Sequence, residues 1–303
     1  MHKLGKIILP LIFGLGANTL AIVAQAQTSA DSTAAKLNQQ LLPFLLPSSA
    51  NLSSALAIPR RKAFRADFSL TTNTNGENNA SPDKQFNSDI LLKTTYLHLG
   101  GQKTAMILLA NKDYRGERKL ALDNPYLEHL TKSAELAEGI TVKGLFRIFA
   151  PVSETARKDE KLTTSIYLAP NFSIDLNKYH FNGISIGLRP YTKIYFHQYT
   201  VSMSGTSSTQ YSVGQRATAS LDITDKLQIA LLAVYQRSRT YTGTTSDSYT
   251  MDQSIGYSLL ENLSLSLGHT NGGSALASDG KRASLDLMNQ RKDTYYFDMS
   301  VNF

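Results

Sequence analysis

Apolar and polar side chains alternate with period two along most of this chain, from Ala63 to the last residue. In the closing stretch Tyr295, Phe297, Met299, Val301 and Phe303 share one face of a strand, while Thr294, Tyr296, Asp298, Ser300 and Asn302 share the other. The same rhythm sets Ile184, Ile186, Leu188, Ile194 and Phe196 against Ser185, Arg189, Tyr191, Lys193, Tyr195 and His197. It returns in Tyr211, Val213, Ala217, Ala219 and Leu221 against Ser212, Gly214, Arg216, Thr218 and Ser220, and again in Leu162, Ile166 and Leu168 against Thr163, Ser165 and Tyr167. Such runs reach the about 9–11 residues that a tilted strand needs to cross a bilayer. One face of each is too hydrophilic for a packed interior, and the other is too apolar for water. Lipid outside and water inside satisfy both, which predicts an all-β, antiparallel transmembrane β-barrel. A soluble β-sandwich also alternates, but it turns its apolar faces inward and needs no terminal aromatic strand.

Polar and glycine-rich links divide the strands. Short ones at 99–102, 222–226 and 260–263 contrast with longer ones at 73–85, 204–209, 242–248 and 271–290, and the two kinds alternate over the last third of the chain. That asymmetry is expected of periplasmic turns and extracellular loops. Counting back from Phe303 predicts strands at about 291–303, 262–270, 248–260, 226–241, 209–223, 182–203, 161–174, 140–150, 103–114, 86–99 and 62–73. A further short strand from Lys119 to Asp123, entered through Asp113-Tyr114-Arg115-Gly116, makes the total even. The barrel is therefore expected to have about 12 strands, within a range of about 10 to 14. Residues 124–139 predict a periplasmic helix, because Asn124-Pro125 reads as a start, Gly139 as a stop, and Leu127, Leu130, Ala134 and Leu136 fall roughly on one side.

The amino terminus has a different character. His2, Lys3 and Lys6 precede an apolar stretch from Ile7 to Leu15, and the small-residue site Ala24-Gln25-Ala26 follows, which predicts a secretory signal peptide over 1–26. Pro10, Gly14, Gly16 and Asn18 interrupt that stretch, and no later run approaches the about 20 apolar residues of a spanning helix. Residues 27–61 are expected to form a periplasmic arm or partial plug, and Arg60-Arg61-Lys62 to mark the inner rim of the membrane. The terminal alternation ending on Phe303 resembles the closing strand of a bacterial outer-membrane β-barrel of the porin-like class. The resemblance covers about residues 62–303 and implies the outer membrane of a Gram-negative-type envelope. It also implies recognition by the barrel-insertion machinery, with Tyr295, Phe297, Met299, Val301 and Phe303 as the signal.

Composition narrows the chemistry. With no cysteine, an exported chain relies on backbone hydrogen bonds and packing rather than disulfides. A hydrophobic share of 42% is too low for a helical membrane protein and ordinary for a barrel with a wet lumen. There are 15 tyrosines, 12 phenylalanines and no tryptophan, so interfacial girdles must be built from Tyr and Phe. Removing Lys3 and Lys6 with the leader lowers the formal charge from +7 to +5, an excess too small to argue for nucleic acid. The histidines are dispersed and the glycine-rich stretches lie in turns, so no metal and no cofactor is expected.

If the apolar faces meet lipid, the other faces name the lumen. Its basic residues are then Arg65, Lys93, Lys143, Arg147, Arg189, Lys193 and Arg216, and its acidic ones include Asp67, Asp89, Asp222, Asp252 and Asp298. A cationic lumen favours anions, whereas paired lumen charges fill the interior and conduct little. Tyr167, Tyr191, Tyr195 and Tyr296 also face inward, where they either stack on solutes or close the lumen by packing. Two functions follow. One is a porin-like channel for passive diffusion of small hydrophilic, neutral or anionic, solutes. The other is a non-conducting structural or surface-interaction barrel acting through the loops at 73–85, 242–248 and 271–290. A lipid hydrolase is a third, weaker reading. Gly268-His269-Thr270-Asn271-Gly272-Gly273-Ser274 offers a histidine, but Asn271 stands where a serine nucleophile is needed. Ser274 needs a folded-back loop to reach His269, and Asp279 is the carboxylate nearest in sequence. The expected partners are outer-membrane lipid, the insertion machinery and small solutes. Oligomeric state stays open, homo-oligomer included.

Overall fold

The computed structural model describes residues 64–77, 81, 84–98, 101–115, 119–179, 182–275 and 293–303. The expected signal peptide, the arm, the Arg60-Arg61-Lys62 rim and Asp279 lie outside them. Its strands are β1 (Phe64–Asn75), β2 (Phe86–Leu97), β3 (Lys103–Asp113), β4 (Leu120–Leu122), β5 (Tyr126–Leu130), β6 (Ala134–Ala137) and β7 (Ile140–Phe149). The second half adds β8 (Leu162–Asp175), β9 (Ile184–His197), β10 (Thr209–Asp222), β11 (Leu227–Thr240), β12 (Thr245–Leu260), β13 (Leu263–Ser274) and β14 (Thr294–Asn302). From β7 onward each strand pairs antiparallel with the next, and β1 pairs with β14 from Asp67↔Asn302 to Asn75↔Thr294. That last ladder closes the barrel and removes the open edges that would otherwise invite aggregation.

Fourteen segments make twelve strands, because β4, β5 and β6 form a single interrupted strand between β3 and β7. β4 and β5 pair with β3, while β5 and β6 pair with β7. Pro125 has no N–H to give a ladder and breaks the strand once. Beside it, the Asn124 side-chain oxygen accepts from the N–H groups of Val152 and Ser153 at 2.9 and 3.0 Å. Thr131 marks the second break, its hydroxyl accepting from the Gly144 N–H at 2.7 Å. The short strand at 119–123 therefore exists as β4, but the helix expected at 124–139 does not. Its leucine spacing also fits a strand over 126–130, with Tyr126 and Glu128 turned inward and Leu127 exposed outward. Tertiary demand decides between them, since a helix there would leave the edges of β3 and β7 unpaired.

Two loop expectations also change. The link after β11 is only 241–244, the same length as the periplasmic link 223–226, so short and long connections do not strictly alternate. β13 runs through Ser274, four residues into the segment read as a loop from 271. The twisted hairpins keep pairing above the membrane wherever their backbone can be satisfied by the neighbouring strand.

Outward positions carry exposed apolar side chains, among them Leu168, Ile194, Leu231, Ile255, Leu267 and Phe297. A continuous belt of this kind is stable only against lipid. Tyr96 and Tyr257 lie toward the end where the chain finishes, and Tyr235 and Tyr295 toward the opposite end, all partly exposed, as interfacial aromatics are. The buried hydrophobic cluster sits inside the barrel. Ala105, Ile107 and Leu109 of β3 pack there with Tyr126, Leu145, Phe149, Tyr167 and Ala169. β3 is apolar on both faces, since Met106 and Leu108 point out while Ile107 and Leu109 point in. The expected water-lined lumen therefore does not extend to this wall.

Candidate functional site

Register fixes which side chains look into the barrel. Arg147 pairs across β7 and β5 with Glu128 and across β8 with Tyr167, and Tyr167 pairs with Lys193 of β9. All of these positions lie on the face that holds the interior cluster. Glu128, buried, is the hub: Arg147 donates to its Oε2 through Nε at 2.8 Å, with Nη2 at 2.6 Å, and Lys93 of β2 reaches Oε1 at 3.3 Å. Arg147 also lies over the rings of Tyr126 and Tyr167, at 4.9 and 5.3 Å from their centroids. Lys193 is placed similarly, 4.5 Å from the Phe149 centroid and 4.6 Å from that of Tyr195. These cations are held by a counter-charge or by aromatic faces, each a favourable way to keep charge in a low-dielectric wall.

The remaining basic residues are placed differently. Arg65 donates to Asp67 at 2.7 Å near the periplasmic end of β1. Lys143 is exposed near the periplasmic end of β7, opposite Asn171 in register. Arg189 and Arg216 face each other as directly paired positions on β9 and β10, both partly accessible, and Arg189 Nε donates to Asn171 Oδ1 at 3.3 Å. The structure thus brings Lys93 and Arg147 together at Glu128, sets Arg189 beside Arg216, and leaves Arg65 and Lys143 toward the periplasmic mouth. Glu128 was missed by sequence reading. Its signal, alternation over Tyr126-Leu127-Glu128-His129-Leu130, was hidden under the helical reading of that segment.

Three other carboxylates accept hydrogen bonds from neutral side chains. Asp298 of β14 accepts from the hydroxyls of Ser69 and Thr71 at 2.6 Å each and from Ser300 at 3.0 Å. Asp89 of β2 accepts from the amides of Asn73 at 2.7 Å and Asn111 at 2.5 Å. Asp252 of β12 accepts from Thr270 at 2.5 Å and from the Tyr296 phenol at 3.0 Å. Tyr296 reaches across β13 because Gly268 has no side chain, and a Cβ there would fall within the tyrosine ring. Tyr191 uses the same device over Gly214, where a Cβ would lie 2.6 Å from its hydroxyl, and donates to Gln236 at 2.9 Å. Tyr167 stacks on Tyr191 with centroids 5.1 Å apart. Three of the four inward tyrosines are therefore engaged by packing and hydrogen bonds, and Tyr195 is engaged by Lys193.

His269 belongs to the outward face. It pairs with Gln253 and Tyr295, and its Nε2 lies 3.2 Å from Asp293 Oδ2. Among the described residues Asp293 is the carboxylate beside it. Ser274 lies five positions along the same strand and so on the face opposite the imidazole. Among the described residues no group of three or more His, Cys, Asp or Glu could hold a metal ion.

No family model matches this sequence, and no curated protein matches it. Solved structures do match in shape. The COG4313 outer membrane channel from Pseudomonas putida F1 is similar with a TM-score of 0.57 at 9% identity, over 82% of this chain and 98% of that one. The NanC porin is similar with a TM-score of 0.50 at 10% identity, over 78% of this chain and 98% of that one. The fold is that of a bacterial outer-membrane β-barrel, and the exposed apolar belt places the chain in that membrane.

Proposed function

We propose that this barrel is a passive channel for small hydrophilic solutes, with a preference for anions set by Arg189 and Arg216. The observation that carries the reading is their position: two guanidinium groups on directly paired lumen sites, both partly accessible, at the edge of the cluster that holds Tyr167. Fixed positive charge in an aqueous passage offsets part of an anion's desolvation. Arg147 and Lys193 are assigned a supporting role, because Glu128 and the aromatic rings already engage them. Lys93 shares Glu128, and Arg65 and Lys143 act at the periplasmic mouth. The names of the two similar proteins, a channel and a porin, agree with passage through the lumen.

The test is single-channel recording in a planar bilayer under a salt gradient. Stepwise conductance with anion preference is expected, and Arg189→Ala combined with Arg216→Ala should reduce that preference. Unchanged selectivity would reject the pair as the filter. One observation favours a second reading, a closed barrel working through its extracellular loops: the interior cluster around Ile107 and Tyr126 fills part of the cross-section. A correctly inserted barrel that stays electrically silent selects that reading. For assembly, the outward row Tyr295, Phe297, Met299 and Val301 with terminal Phe303 remains our assignment for the insertion signal. Slower insertion of Phe303→Ala in an assembly assay checks it.

A further inference from the structure

We infer that the outer face of the barrel carries a binding site for the phosphorylated glycolipid of the outer leaflet, at the extracellular ends of β1, β2 and β3. The inference is independent of any passage through the lumen.

Strand parity places the site on the lipid side. Tyr295, Thr74 and Phe86 are successive partners across β14, β1 and β2, and Tyr295 belongs to the outward row. Thr74 and Phe86 line a cavity of about 270 Å³ together with Lys84 and Arg115. Its described lining is thus basic, aromatic and hydroxylic, without a carboxylate. Lys84 Nζ donates to the Asn75 carbonyl oxygen at 2.7 Å, and Arg115 Nη1 to that of Ser81 at 3.4 Å. The site does not need these cations bare. An ammonium has three donors and a guanidinium five, so each can serve a phosphate oxygen beside its protein acceptor. Lys112 of β3 stands on the same outward face, paired with Ser88.

The surface below the cavity fits the rest of an amphiphile. The exposed rings of Phe86 and Tyr114 lie 5.3 Å apart between centroids. Toward the membrane centre the outward positions become aliphatic, with Leu92 on β2, Met106 and Leu108 on β3 and Leu122 on β4 all exposed. Cations, then rings, then aliphatic side chains repeat the order of phosphate head, interface and acyl chains in a leaflet. A free phosphate would use only the first of these layers. The continuity of all three is what selects a lipid as the occupant.

The experiment is native mass spectrometry of the full mature protein, released from detergent micelles after incubation with bisphosphorylated lipid A or with its dephosphorylated counterpart carrying the same acyl chains. The phosphorylated lipid should be retained, and the dephosphorylated one about tenfold less, the scale of one charge-assisted hydrogen bond. Lys84→Gln combined with Arg115→Gln should bring retention of the phosphorylated lipid down to that lower level. Lys132→Gln combined with Lys226→Gln removes the same charge from exposed positions at the periplasmic end and should leave retention unchanged. Native-like migration on unheated gels verifies that each variant is folded, and the two lipids already test the parent protein by themselves. Equal retention of both lipids overturns the inference, as does retention unchanged in the Lys84 and Arg115 variant. An equal loss in the periplasmic variant overturns it too, because net charge alone would then explain binding. Displacement of the lipid by excess inorganic phosphate would mark a free-phosphate site and overturn the lipid as occupant.

Discussion

Two walls of the same barrel bury carboxylates by opposite means. On β2, β5 and β7 Glu128 is held by Arg147 and Lys93, with aromatic rings closing over the cations. On β12, β14 and β1 Asp252 and Asp298 accept hydrogen bonds from hydroxyl groups, and on β2 itself Asp89 accepts from two amides. The first wall is a packed core turned outside in, with its leucine, isoleucine and tyrosine side chains facing the barrel axis. The second is a polar lattice in which neutral side-chain donors surround each acid, with Asp252 buried among them. The difference teaches where the interior is rigidly filled and where it stays polar. A mutual ion pair makes each partner depend on the other, whereas a cradle of neutral donors shares the load among several groups that survive one loss.

The largest effect is expected from breaking the ion-paired hub. Glu128→Gln leaves Arg147 buried with a neutral partner and should lower stability by about 3–5 kcal/mol, the cost of an uncompensated buried charge. The matching change on the other wall, Asp298→Asn, should cost only about 1–2 kcal/mol, because the Ser69, Thr71 and Ser300 hydroxyls rotate to serve an amide oxygen. Urea unfolding in detergent, followed by far-UV circular dichroism, compares the two. Equal costs would erase the distinction between the walls.

A smaller effect tests the glycine device. Gly268→Ala must push the Tyr296 ring away from Asp252, which should cost about 1–3 kcal/mol of overpacking. If the tyrosine merely rotates, the variant will unfold like the parent, and the latch across β13 is not structural. The smallest change is expected at Lys193→Met, which keeps the packing stem but removes the charge over Phe149 and Tyr195. A loss of about 0.5–1 kcal/mol is expected for a partly exposed cation–π contact. A loss as large as that of Glu128→Gln would mean that Lys193 has a counter-charge role as well.

Much of this architecture was legible because a membrane barrel writes itself in period two. From Ile184 to Phe196 and from Tyr295 to Phe303, lipid on one side and a polar interior on the other leave one permissible face for each residue. Evenness of strand number then required the strand at Leu120–Leu122, which the sequence marks only faintly. Tyr126–Leu130 was misread because its leucines satisfy both a helical and an extended spacing, and local pattern cannot see that β3 and β7 lack partners. The basic lumen residues were likewise readable as a set, by parity alone.

Sequence by itself determined the barrel, its closing aromatic strand and the inward placement of Arg147, Arg189, Lys193 and Arg216, since alternation along a strand is a local property. Only the tertiary structure decided that Arg147 is engaged by Glu128 and Lys193 by aromatic rings, while Arg189 is set against Arg216. Those outcomes depend on strand register, and register joins residues tens of positions apart through hydrogen bonds that no local pattern specifies.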